Sequence, residues 1–100
     1  MSKVYDDDFF CADISVEGGD EELLFLHCYY KKHPTKSNIK LARKEFKLLL
    51  ERLAREGHTC LFAYTPSIKY VKMINQEYET LLTREENGKN MELIVWPLVH

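Results

Sequence analysis

Strict alternation marks the first readable element of the chain. From Phe9 to Val16, the apolar residues Phe10, Ala12, Ile14 and Val16 alternate with Cys11, Asp13 and Ser15, the period-two signature of a half-buried strand. Glu17-Gly18-Gly19-Asp20 reads as a turn, because paired glycines supply positive φ without steric cost. Glu22 to Tyr30 reads as a second strand, antiparallel to the first. Its run Leu23-Leu24-Phe25-Leu26 is apolar on both faces, which predicts a central strand covered on both sides. Residues Met1 to Asp8 are polar, end in Asp6-Asp7-Asp8, and are expected to form a ragged start.

The period then changes. Lys31 to Ser37 is a polar loop in which Pro34 disfavours helix at His33. After an N-cap at Ser37 or Asn38, residues Ile39, Ala42, Phe46, Leu49, Leu50 and Leu53 recur at helical spacing, with Lys40, Arg43, Lys44, Lys47, Glu51 and Arg55 on the other faces. Gly57 is a natural stop, so the helix is expected over 39–56. Thr59 to Tyr64 predicts a third strand, and a strand–helix–strand passage implies a crossover between parallel neighbours. Thr65 and Pro66 open a second, shorter helix ending near Tyr78, with Tyr70, Val71, Ile74 and Tyr78 as its apolar stripe. Thr80 to Arg84 and Met91 to Leu98 close the chain as a hairpin around Asn87-Gly88. The expected order is β–β–α–β–α–β–β: one domain over residues 9–100, in the α/β (α+β) class with a mixed sheet.

Composition narrows the setting. One hundred residues with 45% hydrophobic content suffice for one core. The longest apolar runs are too short to span a bilayer, and no secretory leader pattern opens the chain, so an intracellular protein is expected. Cys11, Cys28 and Cys60 are odd in number and lack CxxC spacing, which suits free thiols rather than a disulfide framework or a zinc site. Charge is unevenly placed. Residues 1–30 carry one Lys against eight Asp and Glu, 31–55 nine Lys and Arg against two Glu, and 56–100 four against six. The basic middle suits phosphate, from a nucleotide or a nucleic acid, or neutralisation by the acidic first third. No aromatic interleaves the basic helix positions, so single-strand stacking is not signalled.

The element order, with Leu26-His27-Cys28-Tyr29-Tyr30, Thr35-Lys36-Ser37-Asn38-Ile39-Lys40 and the segment Ser67 to Asn75, resembles the C-terminal two-thirds of the GCN5-related N-acetyltransferase (GNAT) superfamily. The resemblance implies a GNAT-like mixed sheet truncated at its N-terminus, and acetyl-CoA as the cofactor if the chain is active. It places Cys28 and Tyr30 on the cofactor-contacting strand, and Lys36, Ser37, Asn38, Lys40 and Arg43 at the pyrophosphate loop and the helix it opens. That loop is glycine-rich in the family. Here the glycine places fall on Asn38 and Lys40, so phosphate would be met by side-chain charge. The family's catalytic tyrosine position falls on Val71, which cannot donate a proton. Tyr70, one residue away, is the candidate acid. Ile68-Lys69-Tyr70-Val71-Lys72 and Tyr78 are also similar to acetyltransferase-like internal virion proteins of short-tailed bacteriophages.

These departures favour a non-catalytic acetyltransferase-like protein that binds a protein partner. A phage virion component or an inhibitor of a host defence system is the expected setting, in the host cytoplasm or the phage particle, with no bound cofactor and no metal. An active acetyl-CoA-dependent N-acetyltransferase is one alternative, and a nucleic-acid-associated protein using helix 39–56 is the other. The apolar terminal strand Leu93-Ile94-Val95-Trp96 is expected at a sheet edge, where it would join two copies.

Overall fold

The computed structural model describes residues 2–18, 23–66 and 68–98. Gly19 to Glu22, part of the first expected turn and the start of the second strand, lie outside them, as does Ser67. The elements run β1 (Ser2–Asp6), β2 (Phe10–Glu17), β3 (Leu23–Tyr30), α1 (Lys36–Arg55), β4 (Cys60–Thr65), α2 (Ile68–Ile74), β5 (Glu79–Glu86) and β6 (Lys89–Pro97). The six strands form one sheet in the order β1-β2-β3-β4-β6-β5. The β3–β4 pairing is parallel and the others are antiparallel, so the class is mixed α+β as expected.

The start of the chain corrects the expectation of a ragged residue 1–8 segment. Residues Ser2 to Asp6 pair with β2, from Ser2 opposite Ile14 to Asp6 opposite Cys11. The acidic triplet is not a solvated tail, because Asp7 builds the turn. Its carboxylate accepts the amides of Phe9 and Phe10, both at 2.7 Å, and the Tyr5 hydroxyl at 2.5 Å. An Asp side chain that bonds backbone two residues on is a standard turn device. Those hydrogen bonds outweigh the partial burial of the Asp7 carboxyl and hold it below its ordinary range. Lys31 closes the other side, with its Nζ 2.6 Å from Asp6 Oδ1.

Helix α1 begins earlier than its apolar periodicity indicates. Thr35 is the N-cap and Asn38 is the third helical residue, and the two form a reciprocal capping box. Thr-x-x-Asn thus does what Ser/Thr-x-x-Glu more often does. The other end is a Schellman turn: Gly57, at φ 93°, donates to Ala54, and His58 donates to Leu53. A glycine suits that left-handed position. Helix α2 covers only Ile68–Ile74. Thr65, the expected N-cap, is the last residue of β4.

Both helices pack on one sheet face. Leu24 and Leu26 of β3, Leu61 and Ala63 of β4, Ile94 and Trp96 of β6, and Ile14 of β2 form the core, against Phe46, Leu49, Leu50, Leu53 and Ala54 of α1 and Ile68 and Val71 of α2. The opposite face carries Phe25 and Phe62, which are Cα partners with ring centroids 5.5 Å apart, together with Tyr29 and Tyr64. Among the described residues no helix covers it. The double-sided apolar run of β3 therefore has one buried side and one half-open side, not the two covered sides expected. The expected edge position of the last strand is also corrected. Strand β6 lies between β4 and β5, and the edges are β1 and β5. The final hairpin folds β5 outward, so the chain's most apolar strand is internal and is not an edge that could join two copies.

Candidate functional site

The single β3–β4 register, Phe25 opposite Phe62, locates the site. Beyond that contact the parallel strands diverge toward their C-terminal ends, and the gap is a cleft of about 400 Å³. Crevices at the carboxyl ends of parallel strands are the usual ligand positions of α/β sheets. Cys28 and Leu26 line the cleft from β3, Ala63 and Thr65 from β4, and Phe46 from α1. Tyr70, Val71 and Ile74 line it from α2, and Trp96 forms part of its floor. His27, Tyr29 and Tyr64, on the other sheet face, line it as well. The cleft therefore passes between the strands and opens toward both faces. An aromatic cluster braces its floor, with Phe46 4.9 Å and Tyr78 6.0 Å from Trp96, centroid to centroid.

The residues expected from the sequence separate here. Tyr70 and Cys28 stand in the cleft wall, and Val71 stands beside Tyr70. Cys28 is not the enclosed thiol that its strand suggests, because it is exposed into the cleft. The protein packed around the rest of it nevertheless pushes the thiol up to about 11, chiefly by burial, with the nearby Cys11 and the Asp13 carboxylate adding. A thiol at about 11 in place of the ordinary 9.0 leaves about a hundredth of the usual thiolate at mildly alkaline pH. Cys28 is accordingly expected to alkylate at pH 8 about a hundredfold more slowly in the folded chain than in denatured chain, read by peptide mass analysis. Equal rates would contradict this environment.

The phosphate-loop candidates are arranged differently. Lys36, Ser37 and Lys40 are exposed on the first turns of α1, outside the cleft lining. Asn38 is held in the capping box: its amide donates to Thr35 Oγ1 at 3.3 Å, and its own side-chain oxygen accepts the Thr35 amide. The Arg43 guanidinium donates through Nε to the Met73 carbonyl at the end of α2, at 2.5 Å. Tyr30 is the last residue of β3, and its side chain lies outside what the structure describes. Among the described residues no three His, Cys, Asp or Glu side chains gather to hold a metal.

Several cleft residues carry no motif in the sequence. Phe46 and Trp96 read only as core, and Tyr64 only as a strand residue. Their signal is the crossover itself, which places the ends of the second and third expected strands side by side. His27 gains a fixed position from β2, because its Nε2 is 2.8 Å from Ser15 Oγ.

No protein-family model matches the chain, and no curated protein sequence matches it. A solved structure does. It is yncA of Salmonella typhimurium, a putative acetyltransferase determined with its cofactor acetyl-CoA. It superposes with a TM-score of 0.65 at 14% identity, over 91% of this chain. This chain has the GCN5-related N-acetyltransferase fold. It spans 58% of the length of that acetyltransferase. The likeness is one of fold, and the acetyltransferase-like order of strands and helices is the part of the sequence resemblance that it carries.

Proposed function

We propose that this chain is a non-catalytic protein on an acetyltransferase scaffold, and that it works by contacting another protein. The carrying observation is the start of α1. A nucleotide cofactor needs main-chain donors that approach its phosphates closely, at the amino end of a helix. Here Pro34 has no amide to give, and the amides of Thr35 and Asn38 are turned on each other's side chains, which leaves those of Lys36 and Ser37 at the helix start. Arg43 holds the end of α2. The apolar cleft suits a thioester arm in size and lining, but a glycine-free helix start with part of its donors engaged fits the phosphates of acetyl-CoA poorly. No reaction step is derived through that cofactor.

The sheet face opposite the helices supports the protein-binding half of the reading. It presents Tyr29, 55% exposed, Leu82, 45%, and Tyr64, 38%, around the half-buried Phe25–Phe62 stack. Large apolar side chains gathered on one face mark interaction surfaces. The likeness of the 68–78 segment to phage internal virion proteins directs the partner search to phage and host-defence proteins.

A second reading, acetyl-CoA-dependent N-acetyl transfer, is favoured by one observation, the place of Tyr70 in the cleft wall. Calorimetric titration with acetyl-CoA and with CoA separates the two. No binding heat is expected, and saturable heat with either would overturn the non-catalytic reading.

A further inference from the structure

We infer that the occupant of the open sheet face is a second copy of this chain, packed face to face across it. The inference rests on the protein-binding reading above and names the partner.

The register fixes what this face contains. Phe25, Phe62, Val95 and the pair Tyr64–Leu93 share it through direct Cα pairing across β3, β4 and β6. Tyr29 shares the side of Phe25, and Leu82, opposite Leu93, extends the patch into β5. On this side β3 and β4 carry no Asp, Glu, Lys or Arg, and β6 carries Lys89 at its first residue, opposite Glu86. The other charges on this side stand on the flanking strands, Asp13 and Glu17 on β2 and Glu79 on β5, and at the two margins. Lys3 and Asp6 form a 3.3 Å pair on β1, and Arg84 and Glu86 form a 3.4 Å pair on β5. An uncharged centre inside a charged rim is the anatomy of a protein interface.

Size is adequate. Six strands about 4.8 Å apart, with eight residues rising about 3.3 Å each, give a flat footprint of roughly 600 Å². Side-chain relief brings this close to the ~800 Å² per partner of a standard interface.

Symmetry favours a copy. A two-fold axis along the strand direction sets the β1 margin of one copy over the β5 margin of the other. Each margin carries both signs, so neither rim meets a block of like charge. It also sets Phe25 and Tyr29 of one copy near the β4 and β6 apolar residues of the other, at the ~10 Å spacing and ~30° rotation of packed sheets. The remaining surfaces are poorer. The outer side of α1 exposes Leu41 and Leu48, but Lys40, Lys44, Lys47 and Arg52 lie on the exposed surface of the same helix, and a two-fold there would face positive charge with positive charge. The β5 edge carries Glu79, Arg84, Glu85 and Glu86, a composition that resists strand-to-strand addition.

Sedimentation equilibrium of the whole chain, across a series reaching about 200 μM, tests this at the concentrations a standard interface requires. A mass of twice 11.8 kDa is expected. Tyr29→Glu and Leu82→Glu, both at exposed positions, are each expected to weaken association by at least ~30-fold, the scale of an interface hot spot. Leu48→Glu on α1 is expected to leave it unchanged. Far-UV circular dichroism shows that each variant is folded, and the two face variants serve as checks on one another. A monomer throughout, a dimer indifferent to both face variants, a dimer lost on Leu48→Glu, or a monomer whose face captures a different protein would each overturn the inference. None of those outcomes decides the non-catalytic reading, which the cofactor titration tests separately.

Discussion

Trp96→Ala is expected to destabilise the chain by about 3–5 kcal/mol, the cost of removing a large aromatic from a packed core. Trp96 is 3% exposed and joins three parts of the molecule. It lies in β6, meets Phe46 of α1 at 4.9 Å, and meets Tyr78, between α2 and β5, at 6.0 Å. Domains of this size hold only about 5–15 kcal/mol in total, so the variant stands near the threshold of folding. Trp96→Phe is expected to cost distinctly less. Trp96 Nε1 is buried with no hydrogen-bond partner among the described residues, and an apolar ring removes an unsatisfied donor while keeping much of the contact. Urea unfolding followed by circular dichroism checks the order. It is the suitable probe because the chain has one tryptophan, which both variants remove. Equal losses for Ala and Phe would mean that the indole packs less closely than its contacts indicate.

Leu61→Ala is the second large effect, at about 2–5 kcal/mol. Leu61 has no exposed surface and faces Trp96 directly across the β4–β6 pairing. Its strand couples the core to the cleft, because beyond Phe62 β4 supplies Ala63, Tyr64 and Thr65 to the cleft wall. The two sites touch, so their effects should not add. The double variant Leu61→Ala/Trp96→Ala is expected to lose less than the sum of the single losses, since one enlarged cavity collapses more readily than two separate ones. Additive losses within ~0.5 kcal/mol would show the two side chains to be independent.

Much of this architecture is legible in the residues, for identifiable reasons. The long helix announces itself because about five turns of regular spacing cannot be mistaken, and the final hairpin because Asn87, at φ 50°, and Gly88, at φ 77°, form the turn that their types favour. The parallel crossover follows from strand, helix, strand. Three things are hidden. Strand β1 has too few residues to show a period, and its turn is made by one Asp7 carboxylate that resembles a solvated acid until its partners are seen. The β6 position is hidden because a terminal strand can lie at the edge or inside, and only the fold of the β5–β6 hairpin decides. The open face is hidden because Leu23-Leu24-Phe25-Leu26 looks the same whether one side or both are covered. The candidate site divides along the same line. Cys28 and Tyr70 line the cleft, whereas the engagement of Asn38 with Thr35 and of Arg43 with Met73 depends on side-chain directions that no spacing rule supplies. The earlier helix start at Thr35 matters most, since it turns a stretch that reads as a basic loop into a capped helix end.

On the proposed reading, the cap is also what separates a binding scaffold from a catalyst. In the acetyltransferase fold, the strand divergence supplies room for an acyl arm and the helix start supplies its phosphate grip. This chain has the divergent strands, and Thr35 and Asn38 cap each other at its helix start. Its sheet face offers aromatic and aliphatic surface instead. Titration of the folded chain with acetyl-CoA in a calorimeter measures that difference most directly. The account predicts no saturable heat up to millimolar cofactor, about −4 kcal/mol in binding free energy. Saturable binding in the micromolar range would contradict it.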